Sequence, residues 1–113
     1  MNCDLYQAEA TKTALTNACR MEYLTAGLAA EVGEVCGIYA KFVRDDTEDG
    51  ACVRTLAPEL LDRLKKELGD CLWFLALIVH IHDIPLSAVA ESNIEKLRSR
   101  AQRGTLKGSG DER

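Results

Sequence analysis

The sequence predicts an all-α fold, a bundle-like arrangement of four helices in a single domain of 113 residues. The first reason is composition: aromatic residues make up only 5% of the chain, proline occurs twice, and Ala, Leu and Glu are abundant. Such a composition favours helix over sheet. The second reason is spacing, since apolar residues recur at three- and four-residue intervals over long segments. A hydrophobic fraction of 47% gives a chain of this length enough apolar surface for a core.

The apolar spacing divides the chain into four predicted helices, at residues 4–17, 22–43, 58–82 and 87–100. Pro58 suits the first turn of the third helix, where its missing N–H has no helical partner in any case. Pro85 ends that helix, and Ser87 is the predicted N-cap of the fourth. The polar segment 44–50 is a predicted loop. We expect residues 1–102 to form the helical domain and residues 103–113, rich in glycine, to form a flexible basic tail.

Charge and cysteine content argue against several classes of protein. A net charge of −4 does not suit a binder of nucleic-acid polymers, because phosphate contacts need a basic face. The five cysteines are widely spaced and include no C-x-x-C pair, which argues against a disulfide framework and a thiolate zinc site. We expect free, buried thiols instead. The N-terminus lacks the features of a signal peptide, and the apolar run 71–79 is too short to span a bilayer. These patterns predict a cytoplasmic protein with no membrane partner.

Two pairs of acidic residues stand out, Glu31-x-x-Glu34 and Glu67-x-x-Asp70. Residues three apart on a helix are neighbours, so each pair places two carboxylates side by side. Both pairs interrupt stripes of residues that should face inward. These stripes are Leu24, Gly27, Ile38 and Phe42 on the second helix and Leu60, Phe74, Leu77 and Ile81 on the third.

The position of the acids predicts a metal site. Burying unpaired carboxylates is costly, and four that converge would need cations between them. Oxygen-only ligands favour hard ions such as Mg²⁺ or Mn²⁺. The alternative is a pair of solvated faces, because E-x-x-E is common on exposed helices. Two such pairs on successive helices, each embedded in an apolar stripe, favour the metal site.

These motifs and their surroundings resemble the MazG-like nucleotide pyrophosphohydrolases, phage and bacterial members of the all-α nucleoside-triphosphate pyrophosphatase superfamily. The signature of that family is E-x-x-E, a spacer and E-x-x-D. Three segments carry the resemblance, at residues 27–35 (GLAAEVGEV), 66–73 (KELGDCLW) and 93–97 (NIEKL). Weaker similarities at the start and in the tail extend it over nearly the whole chain. The 32 residues between Glu34 and Glu67 form a longer spacer than is usual, with the surplus in the 45–56 loop.

The resemblance implies a MazG fold and an enzyme that hydrolyses nucleoside triphosphates to monophosphate and pyrophosphate. It implies that Glu31, Glu34, Glu67 and Asp70 are both the metal ligands and the catalytic residues. They would hold two or more Mg²⁺ ions, with Mn²⁺ able to substitute, and an activated water would attack the α-phosphorus. The resemblance leans towards dGTP or GTP as substrate. It also implies the cytoplasm of a bacterial cell or a phage-infected host.

Seven further side chains are candidates for binding the substrate, mostly by comparison with the family. Those on the fourth helix lie three residues apart and so share a face. The set comprises Lys96, Asn93 and Lys41 for the phosphates, Gln7 and Trp73 for the base, and Arg103 and Lys107 from a tail that closes over the triphosphate.

The third helix predicts a homo-oligomer, a dimer or a tetramer. Residues 72–81 are apolar nearly all round, and a helix of that kind is buried on most sides. One short chain offers too little surface to cover it, so a second subunit is expected to do so. His80 and His82 lie on different faces of this helix, which predicts a packing or interface role rather than a shared metal.

Two other classes of protein are weighed against this interpretation. A dinuclear iron carboxylate protein would need Glu-x-x-His from two helices, and neither Glu31 nor Glu67 has a histidine three residues later. A non-catalytic helical adaptor or oligomerisation module would explain the apolar third helix. It would leave the inward acidic residues without a role.

Overall fold

The chain is described by a computed structural model over residues 1–45 and 56–111, and these residues are helical with no strand. In order, the elements are α1 (Cys3–Thr11), a 3₁₀ turn (Thr16–Cys19), α2 (Met21–Asp45), α3 (Pro58–Ile81) and α4 (Leu86–Gln102). The predicted all-α class with four helices is therefore confirmed. The predicted loop at 44–50 begins later than expected, since α2 continues to Asp45, and most of the 45–56 loop lies outside the described residues.

The first helix is shorter than predicted, ending at Thr11 rather than at residue 17. Threonine hydroxyls compete for the backbone there: Thr11 Oγ1 donates to the carbonyl of Ala8 at 3.1 Å, and Thr13 Oγ1 to that of Ala10 at 2.7 Å. Such local bonds offer the chain an alternative to continued helix. Leu15 is then extended before the 3₁₀ turn begins.

Helix α2 packs against α3, and α1 also packs against α3. The shared core contains Leu24 of α2, Leu77 of α3 and Ala10 of α1. Phe74 belongs to the same core and lies directly over Gly27, where an added Cβ would overlap the phenyl ring. Gly27 thus allows α2 and α3 to approach closely at this level.

A sharp corner joins α3 to α4, whose directions differ by 102°. Helix α3 ends in a Schellman arrangement, in which the N–H of Ile84 donates to the carbonyl of Val79 and that of Asp83 to His80, both at 3.0 Å. Asp83 occupies the left-handed position with a φ of 55°, a conformation that Asp tolerates better than most residues. Pro85 follows and prevents the helix from continuing.

The start of α4 is capped by side chains of α1. The prediction that Ser87 is the N-cap is wrong. Pro85 occupies that position and offers no side-chain acceptor. Instead Gln7 Oε1 accepts from the N–H of Leu86 at 2.9 Å, and Asp4 Oδ1 accepts from that of Ser87 at 3.0 Å. Gln7 Nε2 also donates to the carbonyl of Ile84 at 2.9 Å. We call Asp4 and Gln7 the α1 cap.

Bonds to the α1 cap also set the charge state of its carboxylate. The backbone N–H and the hydroxyl of Ser87 both donate to Asp4, and they lower the pKa of that carboxyl. Because helix N-termini favour negative charge, an ionised Asp4 suits the start of α4.

The cysteines only partly follow the prediction of buried thiols. Cys71 is buried, but Cys3, Cys19 and Cys36 are exposed, so the prediction is wrong for these three. They lie on the outer faces of α1, the 3₁₀ turn and α2, where one small chain has no second layer to cover them. Cys52 lies outside the described residues.

In the described part of the chain, no single helix is long and apolar enough to cross a bilayer. Only α3 and α4 taken together, across their 102° bend, reach the length and composition required.

Candidate metal centre

Three carboxylates converge where α2 passes α3. One oxygen of Glu31, one of Glu67 and one of Asp70 lie within 4.8 Å of each other. Glu67 and Asp70 are neighbours because they are one turn apart on α3, and Glu31 meets them from α2. The structure therefore brings together three of the four predicted acids.

Close packing of the two helices sets this geometry. Gly27 lies one turn before Glu31, and Phe74 lies one turn after Asp70, so their contact is directly beside the carboxylates. A larger residue at position 27 would have to displace the Phe74 ring or separate the helices beside the acidic cluster.

Glu34 is arranged differently from the other acids. It is exposed and is not among the three carboxylates whose oxygens converge. Its charge still reaches the cluster, because it helps to raise the pKa of Glu31. The i, i+3 spacing places Glu34 beside Glu31 on α2.

The cluster is electrostatically unbalanced. Burial raises the pKa of Glu31, and the charges of Asp70, Glu67 and Glu34 raise it further, in that order. None of the ion pairs formed by the described residues involves Glu31, Glu67 or Asp70. Carboxylates without a basic partner at this distance repel one another, and a cation placed between them would relieve that repulsion.

Two neighbours of the cluster were not identified from the sequence. Burial raises the pKa of Tyr6, and the charge of Asp70 adds to the effect. Burial also raises the pKa of the Cys71 thiol, with further contributions from Glu31 and Asp70. Cys71 directly follows Asp70, so sequence adjacency was a usable signal. Tyr6 belongs to the start of the chain, where the family resemblance is weak, and spacing alone does not place it near Asp70.

The donor set fits a hard divalent cation. Carboxylate oxygens from two helices are the ligands that Mg²⁺ and Mn²⁺ prefer, and the group contains no thiolate or imidazole donor. The described histidines lie elsewhere: His80 and His82 are exposed at the end of α3. Because both are exposed, they have no packing role within the single chain. The predicted role of the two histidines at a subunit interface stays a prediction.

Two predicted phosphate contacts, Asn93 and Lys96, line one shallow cavity of about 400 Å³ on α4. Lys96 Nζ is paired with Asp111 of the tail at 3.2 Å. Lys41 is exposed on α2.

The structure gives the two predicted base contacts other partners. Gln7 is buried in the α1 cap, where both its oxygen and its nitrogen are hydrogen-bonded. Its amide is therefore already used within the fold, which argues against base recognition. Trp73 Nε1 donates to Thr13 Oγ1 at 2.8 Å, and its ring meets Phe74 edge-on with centroids 5.0 Å apart.

The described part of the tail folds back against α4. The N–H of Thr105 donates to the carbonyl of Arg100 at 2.9 Å, and Arg100 in turn donates to Gly110 and Asp111. Arg103 Nε donates to Ser99 Oγ at 3.3 Å, and Lys107 is exposed. Closure over a substrate by these residues stays a prediction.

Comparison with known proteins agrees with this picture. A family described as the MazG nucleotide pyrophosphohydrolase domain matches residues 20–105, which include the whole acidic cluster and all of α2, α3 and α4. The Gene 37 protein of Mycobacterium phage L5 is 38% identical over 120 aligned residues, which cover 100% of both chains. No solved structure shows significant similarity. Since the family match covers most of the chain and the phage relative all of it, the chain belongs to the MazG nucleotide pyrophosphohydrolase family.

Proposed function

We propose that this protein hydrolyses nucleoside triphosphates to nucleoside monophosphate and pyrophosphate, using divalent cations held by its acidic cluster. The observation that carries the proposal is the convergence of Glu31, Glu67 and Asp70 within 4.8 Å, with none of the three in a salt bridge among the described residues. Mg²⁺ is the expected ion, in two or more copies, with Mn²⁺ able to substitute. Glu34, at the solvent edge of the cluster, would complete the ligand set.

The proposed reaction joins a water oxygen to the α-phosphorus and breaks the bond from that phosphorus to the α–β bridging oxygen. Pyrophosphate then leaves with the electron pair of the broken bond. Divalent cations would neutralise the phosphate oxygens and increase the acidity of the attacking water. The role of the chain is to hold the cations at Glu31, Glu67 and Asp70. We assign the proton acceptor to Glu34, in addition to its proposed place in the ligand set, since its carboxylate lies outside the three that converge.

Asn93 and Lys96 of α4 are the proposed phosphate contacts. They line the same cavity, and both belong to the segment 93–97 that resembles the family. Lys41, Arg103 and Lys107 are secondary candidates, supported only by their charge and position. Of the predicted base contacts, we retain Trp73 and set Gln7 aside, because the α1 cap occupies both ends of its amide. A preference for dGTP or GTP rests on family resemblance alone.

We also propose that the active form is a homo-oligomer, a dimer or a tetramer. Helix α3 carries a second apolar stripe beside the one that forms the core. Its members recur at intervals of seven, four and three residues and are all exposed in the single chain: Leu61, Leu68, Leu72 and Leu75. Stripes of this spacing are typical of helices that pack against another helix. We place the protein in the cytoplasm of a bacterial or phage-infected cell, in keeping with its phage relative.

Pyrophosphate release from the four ribonucleotide and four deoxynucleotide triphosphates, with Mg²⁺ or with excess chelator, tests the reaction. Asp70→Asn should lose at least about a hundredfold in rate, since it removes a charged ligand. The matched control is Asp62→Asn, on the same helix but exposed and paired with Lys66, and it should stay near wild type. Chromatography should find monophosphate and pyrophosphate in equal amounts. Diphosphate as the main early product, or no release from any nucleotide, would overturn the proposal.

A further inference from the structure

The end of α4 contains a buried arginine around which the tail is folded. Arg100 is only 5% exposed, although arginine is seldom buried without partners. One terminal nitrogen, Nη2, donates to the carbonyl oxygens of Gly110 and Asp111 at 3.2 and 3.1 Å. It also lies 3.1 Å from Asp111 Oδ1. The tail therefore folds back over the last turn of α4, with contacts at Thr105, Gly110 and Asp111.

Lys96 adds a second cation to the same carboxylate. It lies four residues before Arg100, so the two side chains share one face of α4. Lys96 Nζ is 3.2 Å from Asp111 Oδ1, the same oxygen that Arg100 contacts. These two contacts lower the pKa of Asp111, with Lys96 as the larger cause. Two positive groups thus meet on one oxygen atom.

The two cations have more donors than Asp111 satisfies. Arg100 Nε is buried, yet it has no hydrogen-bond partner among the described residues. Lys96 Nζ forms one ion pair and its side chain remains 44% exposed, so further donors are free to face solvent. A phosphate group presents three or more charged oxygens, and guanidinium and ammonium groups bind such oxygens well.

We propose that Lys96 and Arg100 form a phosphate-binding site that Asp111 fills in the free protein and that polyphosphate oxygens take over by displacing Asp111. This deepens the proposed function, because it gives the tail a regulatory role at the phosphate contacts of α4. Asp111 is suited to being displaced: its side chain is 80% exposed, and its ion pair with Lys96, whose side chain is 44% exposed, is of the exposed kind that contributes little to stability. A pyrophosphate group carries more charge than one carboxylate, so it competes effectively for the two cations.

The test measures pyrophosphate binding to the full-length protein by calorimetry, in excess chelator so that the acidic cluster takes no part. Asp111→Asn should bind pyrophosphate about fivefold more tightly than the wild type, since that is the factor for one weak ion pair. The control is Glu95→Gln. Glu95 is exposed on α4, and its replacement changes the net charge by the same amount as Asp111→Asn. Adding Lys96→Gln to Asp111→Asn should abolish the gain. Inorganic phosphate, used as a second probe, should bind more weakly than pyrophosphate.

Equal affinity of wild type and Asp111→Asn would overturn the proposal and leave Asp111 as a structural anchor of the tail. An equal gain in Glu95→Gln would overturn it too, by showing a general charge effect. A melting temperature for each variant verifies that the helical core is intact. Because this measurement needs neither metal nor turnover, it stays separate from the proposed hydrolysis: Asp70→Asn should lose activity but keep metal-free pyrophosphate binding.

Discussion

Replacing Gly27 with alanine tests whether close packing of α2 and α3 is required beside the acidic cluster. A Cβ at this position would overlap the ring of Phe74 at Cζ and Cε1 and lie 3.1 Å from Cε2. The ring has little room to move, because Trp73 packs against it at 5.0 Å and Tyr23 at 5.8 Å between centroids. Either the ring leaves its position or the two helices separate.

The magnitude follows from two opposing effects. Alanine is favoured over glycine inside a helix by about 1 kcal/mol. Overpacking a filled core costs about 1–3 kcal/mol, and the confined ring places this case in the upper part of that range. We therefore expect Gly27→Ala to lower the free energy of unfolding by about 1–2 kcal/mol. The matched control is Gly37→Ala, in the same helix, where an added Cβ has nothing within 4 Å. This variant should raise the free energy of unfolding by up to about 1 kcal/mol.

Urea unfolding of both variants at one fixed protein concentration provides the measurement, because oligomers make apparent stability depend on concentration. A second measurement compares how much Mg²⁺ raises the melting temperature. Separation of the helices at Gly27 should weaken this protection, whereas Gly37→Ala should keep it. If Gly27→Ala is as stable as Gly37→Ala, the close packing at Phe74 does not constrain these helices and our reasoning is wrong.

Three further predictions concern charge, capping and assembly. The pKa of Glu31 is raised in the folded state above its ordinary value of 4.5. The free energy of unfolding of the metal-free protein should therefore fall as the pH rises from 4.5 through the raised pKa. Glu31→Gln should remove this fall and also the stabilisation by Mg²⁺; thermal melts over that pH range that match the wild type would contradict this. Gln7→Glu keeps the acceptor for Leu86 but loses the donor to Ile84, so it should cost about 1 kcal/mol and speed hydrogen exchange at the start of α4; unchanged exchange would count against the α1 cap. Leu72→Lys, exposed in the single chain, should split the oligomer without unfolding it, and light scattering that finds the same mass as wild type would exclude this stripe from the interface.

The long helices and the acidic pairs could be predicted from the sequence because both depend on local spacing. Apolar stripes identify α2 and α3, and the i, i+3 rule places Glu67 beside Asp70 whatever the rest of the fold does. The same rule cannot tell which member of a pair faces the other helix. For this reason Glu34 was expected among the converging carboxylates, whereas in the structure it is not one of the three whose oxygens lie within 4.8 Å of each other.

Features that depend on distant contacts could not be predicted. The side chains that cap α4 lie between 77 and 83 positions away from it along the chain. Ser87 was predicted as the cap because only neighbouring positions in the sequence were considered. The same holds for Gln7, which family resemblance suggested as a base contact, because its hydrogen bonds to Ile84 and Leu86 join residues 77 and 79 positions apart. The pairing of Asp111 with Arg100 also depends on how the glycine-rich tail turns back, which composition does not specify.

The α1 cap has a consequence for the order in which the chain folds. Its bonds close loops of nearly 80 residues. Closing such a loop lowers the entropy of the chain before the new contacts stabilise it. Helices α2 and α3 can pair earlier, as neighbours along the chain, so we expect the direction of α4 to be decided late in folding. The family match begins at residue 20, beyond α1. A fragment trimmed to that match would keep the acidic cluster on α2 and α3, yet α4 would begin without Asp4 and Gln7 to hold its first turn.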